Sequence, residues 1–377
     1  MAVLTGLVLL VLIEPGGLTD QVTVGLAFVP VVGASRWLSP LAILALLALL
    51  GLLVRSVTAR APLLRVRSWP GLLSVVDLPG ALLLMTALAG VILAFSTADP
   101  QVQVFAPAGP WLLAGSALAA LGFWRRNRVA VHPLLPRRTL AAAPAWGALV
   151  VSFFVGSALI AALVDIPIFA RVTVFTDSQL GAALVLVRFL VGLPLGAYLG
   201  GWWTHRAPAG LVTAAGMLLA GGGFLVMSRW GLDTLHDPWS NLALVLAGTG
   251  IGLAMAPVNA ALLSATDAAA HGVASALLIV ARTVGKLVGI SVLTTIGLRR
   301  YYATQADLPE PRDVCPGGQT RCAAFDLILR EAGLTQLHTI FVGAAVSCVV
   351  AGLVALAVFR HADTRSVRAD PLAGHLG

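Results

Sequence analysis

Long apolar runs alternate along this chain with short segments that carry most of the charge. Crossing a hydrocarbon layer of about 30 Å takes about 20 residues of helix, because a helix satisfies its own backbone hydrogen bonds in lipid. Runs of this order predict nine spanning helices, at 38–54, 78–98, 104–124, 139–164, 178–203, 207–228, 238–266, 272–298 and 332–359. The pattern therefore predicts an all-α, polytopic membrane protein.

Two shorter apolar segments precede these spans. Met1–Ile13 is too short to cross a bilayer unaided, and it lacks the basic start and the small-residue cleavage site of a signal peptide. We interpret it as the end of a truncated span. The segment 21–35 contains Pro30 and Gly33 and is predicted to form a loop or a re-entrant element.

The composition excludes a soluble protein. The 377 residues are 59% hydrophobic and 11% charged, and their mean hydropathy is +0.95, whereas about a quarter of a soluble domain is charged. The net charge of +8 does not indicate a nucleic-acid partner, since basic residues collect in the cytoplasmic loops of membrane proteins. The sequence shows no paired carboxylates, metal-spaced His/Cys cluster or nucleophile motif, so we predict neither catalysis nor a cofactor or metal.

The distribution of arginines predicts the orientation. Thirteen lie in 55–77, 125–138, 204–207 and 360–377, against three in the short opposite loops. Because positive residues favour the cytoplasmic side, these four segments and the C-terminus are predicted to be cytoplasmic. The outward segment 299–331 carries five more arginines, but long loops translocate largely regardless of charge.

Two cations fall inside one predicted span. A charge at the centre of a membrane helix costs about 2.5–3.5 kcal/mol, so each such residue is a functional hypothesis. Arg282 and Lys286 are four residues apart and share a helix face. Their stripe also carries polar and small residues, namely His271, Ser275, Gly285 and Gly289. We expect it to line a cavity that holds an acidic partner or an anionic substrate group; a structural ion pair or snorkelling side chains are the alternatives.

Asp165 and Arg188 are predicted to lie in the outer half of the bilayer, on consecutive spans. A carboxyl group at that depth suits proton coupling, and Asp165 is our candidate for it. The alternatives are a contact with the substrate, a static pair between Asp165 and Arg188, made directly or through water, and an interfacial cap. Asn259, in a later span, is either a contact between helices or a substrate contact.

Small residues recur at four-residue spacing in two spans. Gly192, Gly196 and Gly200 form one ladder and Gly285 with Gly289 another, which lets helix backbones approach closely. The string GTGIG at 248–252 resembles part of a dinucleotide fingerprint, but no strand surrounds it, so nucleotide binding is not predicted.

Cys315 and Cys322 both lie in the outward segment 299–331. We predict a disulfide between them in that compartment. By closing a short loop, it would stabilise the protein by about 2.5 kcal/mol, because it lowers the entropy of the unfolded chain. Two free thiols are the alternative, and metal binding ranks last because the spacing is not that of a zinc knuckle. Cys348 lies within the last span and is interpreted as a small apolar packing residue.

Several stretches together resemble the second half of a major facilitator superfamily exporter of the fourteen-span drug:proton antiporter branch. DLPGALLL at 77–84 resembles the start of the extra central helices, and HPLLP at 132–136 the cytoplasmic linker into the C-terminal bundle. GGWWTHR at 200–206 occupies the place of the cytoplasmic loop motif, with Arg206 at its end. HGVASA at 271–276, followed by RTVG at 282–285 and Gly289, is the most specific match.

LVDIPIF at 163–169 is most similar to the mycobacterial triacylglyceride exporters, which also confer drug efflux and work with a periplasmic lipid-binding lipoprotein. The resemblance covers about 37–360. It implies that Asp165 and Arg282 match membrane-embedded polar residues important for transport, and that 299–331 extends the last two helices outside the membrane. Lys286 and Arg188 depart from the family, which has an apolar and an aromatic residue there.

The predicted organisation has four parts: a remnant of the N-terminal bundle at 1–54, linkers and two central helices at 55–138, a six-helix bundle at 139–360 with the outer loop 299–331, and a cytoplasmic tail at 361–377. Most of the N-terminal half of such an exporter is absent. Either the true start lies upstream, or the chain pairs with a partner, or it is a remnant.

The expected function is proton-coupled export of lipophilic drugs or lipids across the bacterial inner membrane. Its partners would be membrane lipids, the transported molecule, protons and a lipoprotein. The alternative is a truncated scaffold that binds lipid or a partner protein without transporting.

Overall fold

The computed structural model of the chain describes residues 39–58, 77–97, 106–130, 133–135, 139–306, 308–315 and 322–362. The predicted short span Met1–Ile13, the element at 21–35 and nearly all of the tail 361–377 lie outside these residues. The same holds for most of the linker at 55–77 and for parts of 132–138.

The described residues form nine long α-helices and no strand. In chain order these are α1 (Pro40–Thr58), α2 (Leu78–Ser96), α3 (Gly109–Val129), α4 (Ala143–Val172), α5 (Gln179–Thr204), α6 (Ala209–Met227), α7 (Trp239–Ser264), α8 (His271–Ala306) and α9 (Ala323–Val358). Local sequence places several of their starts. Proline occupies the first turn of α3 and α4, and the Ser178 side chain caps α5 by accepting a 3.0 Å hydrogen bond from the Gly181 backbone N–H.

Seven of these helices, α2 and α4 to α9, are long and apolar enough to cross a membrane. The prediction of an all-helical, polytopic membrane protein is therefore confirmed. In α1 only Pro40–Gly51 is apolar and described with its side chains, and that segment is shorter than a full crossing. Three arginines lie near the end of α3, and its apolar stretch is correspondingly short. For these two helices the crossing stays a prediction.

The chain divides into two units, Met1–Asp77 and Leu78–Gly377. In the described part of the first unit, α1 is the long helix. In the second unit, α2 and α3 pack against each other as a hairpin. The six helices α4 to α9 form a bundle: α4 packs on α8 and α9, α6 packs on α7 and α9, and α5 lies along α7.

The last two helices are longer than the apolar runs that predicted them. The spans expected at 272–298 and 332–359 are helices of 36 residues each, so the described part of segment 299–331, which was predicted to be an outer loop, is largely helical. Between them the chain forms one helical turn, Pro311–Val314, and Cys315 is joined to Cys322 by a disulfide. Cys348 is a fully buried free thiol.

Glycines set the closest helix contacts in the bundle. A Cβ atom on Gly192, Gly196 or Gly200 of α5 would overlap backbone atoms of α7. The relation is reciprocal, because a Cβ on Gly248 or Gly252 of α7 would overlap carbonyl oxygens of α5. The GTGIG string is thus part of a helix contact, as backbone approach through small residues requires.

Candidate functional site

Arg282 lies where α8 crosses α4. Its Nη2 donates a 3.2 Å hydrogen bond to Oγ of Ser152 on α4. The crossing is close because a Cβ on Gly156 would overlap the Arg282 carbonyl oxygen, and a Cβ on Gly285 would overlap that of Phe153. Nε of Arg282 is buried without a hydrogen-bond partner. Within the described residues this guanidinium has one neutral partner and no salt bridge.

The remaining residues of the predicted stripe have different surroundings. Gly289, two turns from Arg282, is buried against Ser157 of α4. Lys286 and Ser275 are half-buried. His271 is half-buried, and its Nε2 lies 3.2 Å from the carbonyl oxygen of Leu263, a contact between the start of α8 and the end of α7.

Asp165 is buried in the half of α4 that ends at Val172 and retains 5% of its exposure. Its helical neighbours Ile166 and Phe169 are fully buried apolar side chains. Pro167 lies inside the same helix and has no backbone N–H, so the Leu163 carbonyl loses its usual helical donor. In the part of the chain that the structure describes, Asp165 forms no hydrogen bond and no salt bridge.

Asp165 and Arg188 form no direct pair within the described residues. Nη1 of Arg188, on α5, instead donates a 2.6 Å hydrogen bond to Oδ1 of Asn241 on α7. Asn241 follows the start of α7 by two residues, so the side-chain acceptor of Arg188 is a neutral amide.

Arg282, which contacts α4 at Ser152, and Asp165 of α4 lie at different positions along that helix. Ser152, which contacts Arg282, and Asp165 are separated by about 20 Å along the helix, at about 1.5 Å per residue. Asp165 belongs to the end of α4 that leads to Val172, whereas Arg282 belongs to the opposite half of the bundle. They cannot act on the same group at the same moment.

Two other predicted residues lie at the surface of the bundle. Asn259 of α7 is exposed, and its Nδ2 donates a 2.8 Å hydrogen bond to the Met255 carbonyl oxygen of the same helix, so among the described residues it joins no second helix. The Arg206 guanidinium lies 3.7 Å above the ring of Trp202, just beyond the end of α5.

Sequence reasoning missed Ser152 and Asn241, the partners of the two membrane arginines. A single serine or asparagine in an apolar run is common and costs little, so its residue type carries no signal. The useful signal would have been the need of each arginine for an acceptor. No group of three His, Cys, Asp or Glu residues within the described ranges is placed to hold a metal ion.

Comparison with known proteins gives similarity over most of the chain. It is 36% identical over 315 residues to a triacylglyceride transporter of Mycolicibacterium hassiacum, covering 79% of this chain and 59% of that protein. It is 34% identical to one of Mycolicibacterium smegmatis, covering 75% of this chain and 53% of that protein. For one of Mycobacterium tuberculosis the identity is 33%, covering 78% and 60%.

The chain thus spans between about half and three fifths of the length of these relatives. No protein-family model matches it. The similarity is to bacterial proteins that are named as transporters, and not to enzymes.

Proposed function

We propose that this chain forms part of a proton-coupled antiporter that exports triacylglycerides or similarly lipophilic molecules, including drugs, across the bacterial plasma membrane. The observation that carries the proposal is Asp165, a carboxyl group buried in the apolar bundle without a polar partner among the described residues. The similarity to triacylglyceride transporters supports lipid as the cargo. The motifs in the sequence support a major facilitator fold of the fourteen-span branch.

Proton exchange is the chemistry that suits Asp165. A carboxyl group in apolar surroundings costs far less when neutral than when ionised, so changes in its surroundings during transport control whether it holds a proton. A residue locked in a static ion pair would not respond in this way. Pro167, two residues later, gives α4 a point at which it can bend.

Arg282 serves the other half of the site. It has a neutral partner in Ser152 and a buried Nε without a hydrogen bond. We assign it to the cavity wall, where it holds an acidic partner or the polar group of the substrate. Lys286 and Ser275 lie beside it on α8, and Asn259 and Arg188 are assigned to the substrate path on α7 and α5. Gly196, Gly200, Gly285 and Gly289 keep the helices close, and Arg206 belongs to the loop motif at the cytoplasmic end.

The orientation follows the arginines. The segments at 125–138 and 204–207 and the C-terminus are cytoplasmic, and the disulfide between Cys315 and Cys322 faces outward, where disulfides persist. A periplasmic lipid-binding lipoprotein is the partner that would accept a lipid on this side.

The test compares Asp165→Asn with Asp177→Asn, which removes a carboxylate from the exposed outer turn after α4. The protein, expressed from its complete gene, is reconstituted in vesicles with a fluorescent triacylglyceride analogue and an imposed pH gradient. Asp165→Asn should lower gradient-driven transport about tenfold or more, as expected for a proton-transferring group, and leave exchange without a gradient in place. Asp177→Asn should retain both.

Equal gradient-driven transport by the parent and Asp165→Asn would show that the proton role is wrongly assigned. Absence of any transport by the parent protein, with normal folding and lipid binding, would support the scaffold alternative instead.

A further inference from the structure

Lys286 is a cation without a partner in the middle of α8. The apolar run 272–298 is interrupted by Arg282 and Lys286 alone. Lys286 is half-buried, and within the described residues its ammonium forms no hydrogen bond and no salt bridge. It lies twelve or more residues from either end of the run, a distance of about 18 Å or more along the helix. A four-carbon side chain does not cover that distance, so the ammonium does not snorkel out of the apolar region.

Arg282 lies one turn before Lys286 on the same side of α8. Side chains at this spacing have Cβ atoms about 5–6 Å apart, and the Cα–Cβ bonds of a helix tilt toward its N-terminus, so Lys286 leans toward Arg282. Ser152 accepts a hydrogen bond from one of the N–H donors of the Arg282 guanidinium and leaves its charge in place. Two like charges this close repel each other, and more strongly in apolar surroundings than in water. An anion between them would attract both.

The described helices supply no acidic group beside these two cations. None of the nine predicted spans contains an aspartate or a glutamate. Asp165 lies just beyond its run and is displaced along α4. A Cβ on Gly285, next to Lys286, would overlap the backbone of Phe153. Phe153 precedes Asp165 by twelve residues, about 18 Å along the helix. The negative charge that balances Arg282 and Lys286 must therefore come from another source.

The face of α8 next to the two cations is open. Ile279 is 64% exposed, and Ala276 and Thr283 are exposed beside it. The Thr283 hydroxyl donates a 2.9 Å hydrogen bond to the Ile279 carbonyl oxygen of its own helix, so this face offers mainly apolar contacts. Another face of α8 packs on α4 through Gly285 and Gly289. A molecule that approaches the open face meets an apolar surface with two cations at its edge. The matching ligand has a negative head and an apolar tail.

The head group of an ordinary bilayer lipid does not reach this position. The hydrocarbon layer is about 30 Å thick, so lipid phosphates lie about 15 Å or more from its middle. Lys286 lies close to the middle of the apolar run 272–298. A negative group beside Lys286 therefore belongs to a molecule that has left the head-group layer, as a transported lipid must.

We propose that the preferred cargo of this protein is a lipid with an anionic head group, and that Lys286 is the residue that selects it. The negative group, a phosphate or a carboxylate, lies between the Lys286 ammonium and the Arg282 guanidinium, and an acyl chain lies along Ile279. This preference rests on the export function proposed above and specifies its substrate class. Lipids with a charged head group bind more tightly than neutral lipids with the same chains.

The test measures lipid binding by the purified protein in detergent, by native mass spectrometry and without a pH gradient. Dioleoyl-phosphatidate is compared with dioleoylglycerol, which has the same chains and no phosphate, and oleate is compared with oleyl alcohol. The parent should bind at least one anionic lipid about tenfold or more tightly than its neutral counterpart, the effect of a hydrogen bond to a charged group. A preference within the first pair identifies a phosphate site, and one within the second a carboxylate site.

Three variants assign the preference to Lys286. Lys286→Met removes the charge and places an unbranched apolar side chain in an apolar helix. It should weaken binding of the anionic lipid about tenfold or more and change binding of the neutral lipid by less than about twofold. Lys286→Arg should retain the preference. Arg299→Met is the matched control, because it removes one positive charge from an exposed position further along the same helix, and its effect should stay within about twofold.

Equal binding within both lipid pairs by the parent would overturn the proposal, whether or not the variants fold. Equal losses in Lys286→Met and Arg299→Met would contradict it in favour of general surface charge. If a carboxylate elsewhere in the protein neutralises Lys286, the parent shows no preference and Lys286→Met lowers the unfolding temperature. Transport of the triacylglyceride analogue without a preference for anionic lipids would refute the preference alone. A preference without any transport would refute the export function and leave a lipid-binding site.

Discussion

Arg188 on α5 and Asn241 on α7 are joined by a 2.6 Å hydrogen bond from the guanidinium to the side-chain oxygen of the amide. The bond links the same two helices whose glycines bring their backbones into contact. It also gives a membrane cation a neutral partner, which satisfies part of the guanidinium without cancelling its charge. The bond therefore ties α5 to α7 through a partner that carries no charge.

Replacing Asn241 by Leu should destabilise the protein, because it removes the acceptor and leaves Arg188 with unsatisfied donors. A hydrogen bond to a charged group contributes about 1.5–3 kcal/mol. Thermal unfolding in detergent measures the loss. In a double-mutant cycle, adding Arg188→Gln to Asn241→Leu should recover most of the lost free energy of unfolding, because no charged group is then left without its acceptor. Fully additive losses would show that the two side chains do not interact.

Gly200 and Gly201 offer a matched pair on one helix. A Cβ on Gly200 would lie 2.5 Å from the Leu253 carbonyl oxygen, whereas a Cβ on Gly201 meets no atom within 4 Å. Gly200→Ala should cost about 1–3 kcal/mol by overpacking. Gly201→Ala should be neutral or should stabilise by up to about 1 kcal/mol through helix propensity. Equal unfolding temperatures for the two variants would contradict the contact between α5 and α7.

Ser152→Ala should expose how Arg282 is held. The substitution deletes the hydrogen-bond acceptor of a half-buried guanidinium, at a cost of about 1.5–3 kcal/mol. Ser228→Ala is the control, because that hydroxyl is exposed and bonds within its own chain segment, so its loss should stay within about 0.5 kcal/mol. If both variants unfold at the parent temperature, Ser152 does not position Arg282.

Thiol counting tests the disulfide between Cys315 and Cys322 and the burial of Cys348 together. The folded, oxidised protein should react with a maleimide at no site, because Cys315 and Cys322 are joined and Cys348 is fully buried. Mild reduction should release two reactive thiols. Reduction followed by denaturation should add the third. A protein that reacts at two sites before reduction would lack the disulfide.

The sequence was sufficient to locate the seven helices that are long and apolar enough to cross a membrane. The predicted span 178–203 is the helix Gln179–Thr204, because an apolar run of this length, interrupted only by Arg188, has no other stable form in lipid. The sequence did not predict that α8 continues past residue 298 or that α9 begins before residue 332. Once a helix leaves the bilayer it carries polar residues, and its hydropathy no longer distinguishes it from a loop.

The sequence was also not sufficient to show which side chains face one another. In a soluble helix the polar side marks the surface, but in a membrane helix both faces are apolar. Leu180 is 72% exposed and Leu244 is fully buried, although residue type gives them the same preference. For that reason Asp165 and Arg282 could be selected as unusual, while the partner of Arg188 could be found only from the three-dimensional arrangement.

The interlocked glycines of α5 and α7 restrict how the bundle can rearrange. If α5 moved along α7 by a single residue, the Cβ atom of Val191 or Leu193 would take the place of Gly192 against the Val245 carbonyl oxygen. We therefore expect α5 and α7 to move together as one rigid unit. Helices of the bundle can shift relative to one another more easily where side chains separate their backbones, because side chains can change rotamer. Backbone carbonyl groups in contact with a glycine cannot move aside in this way.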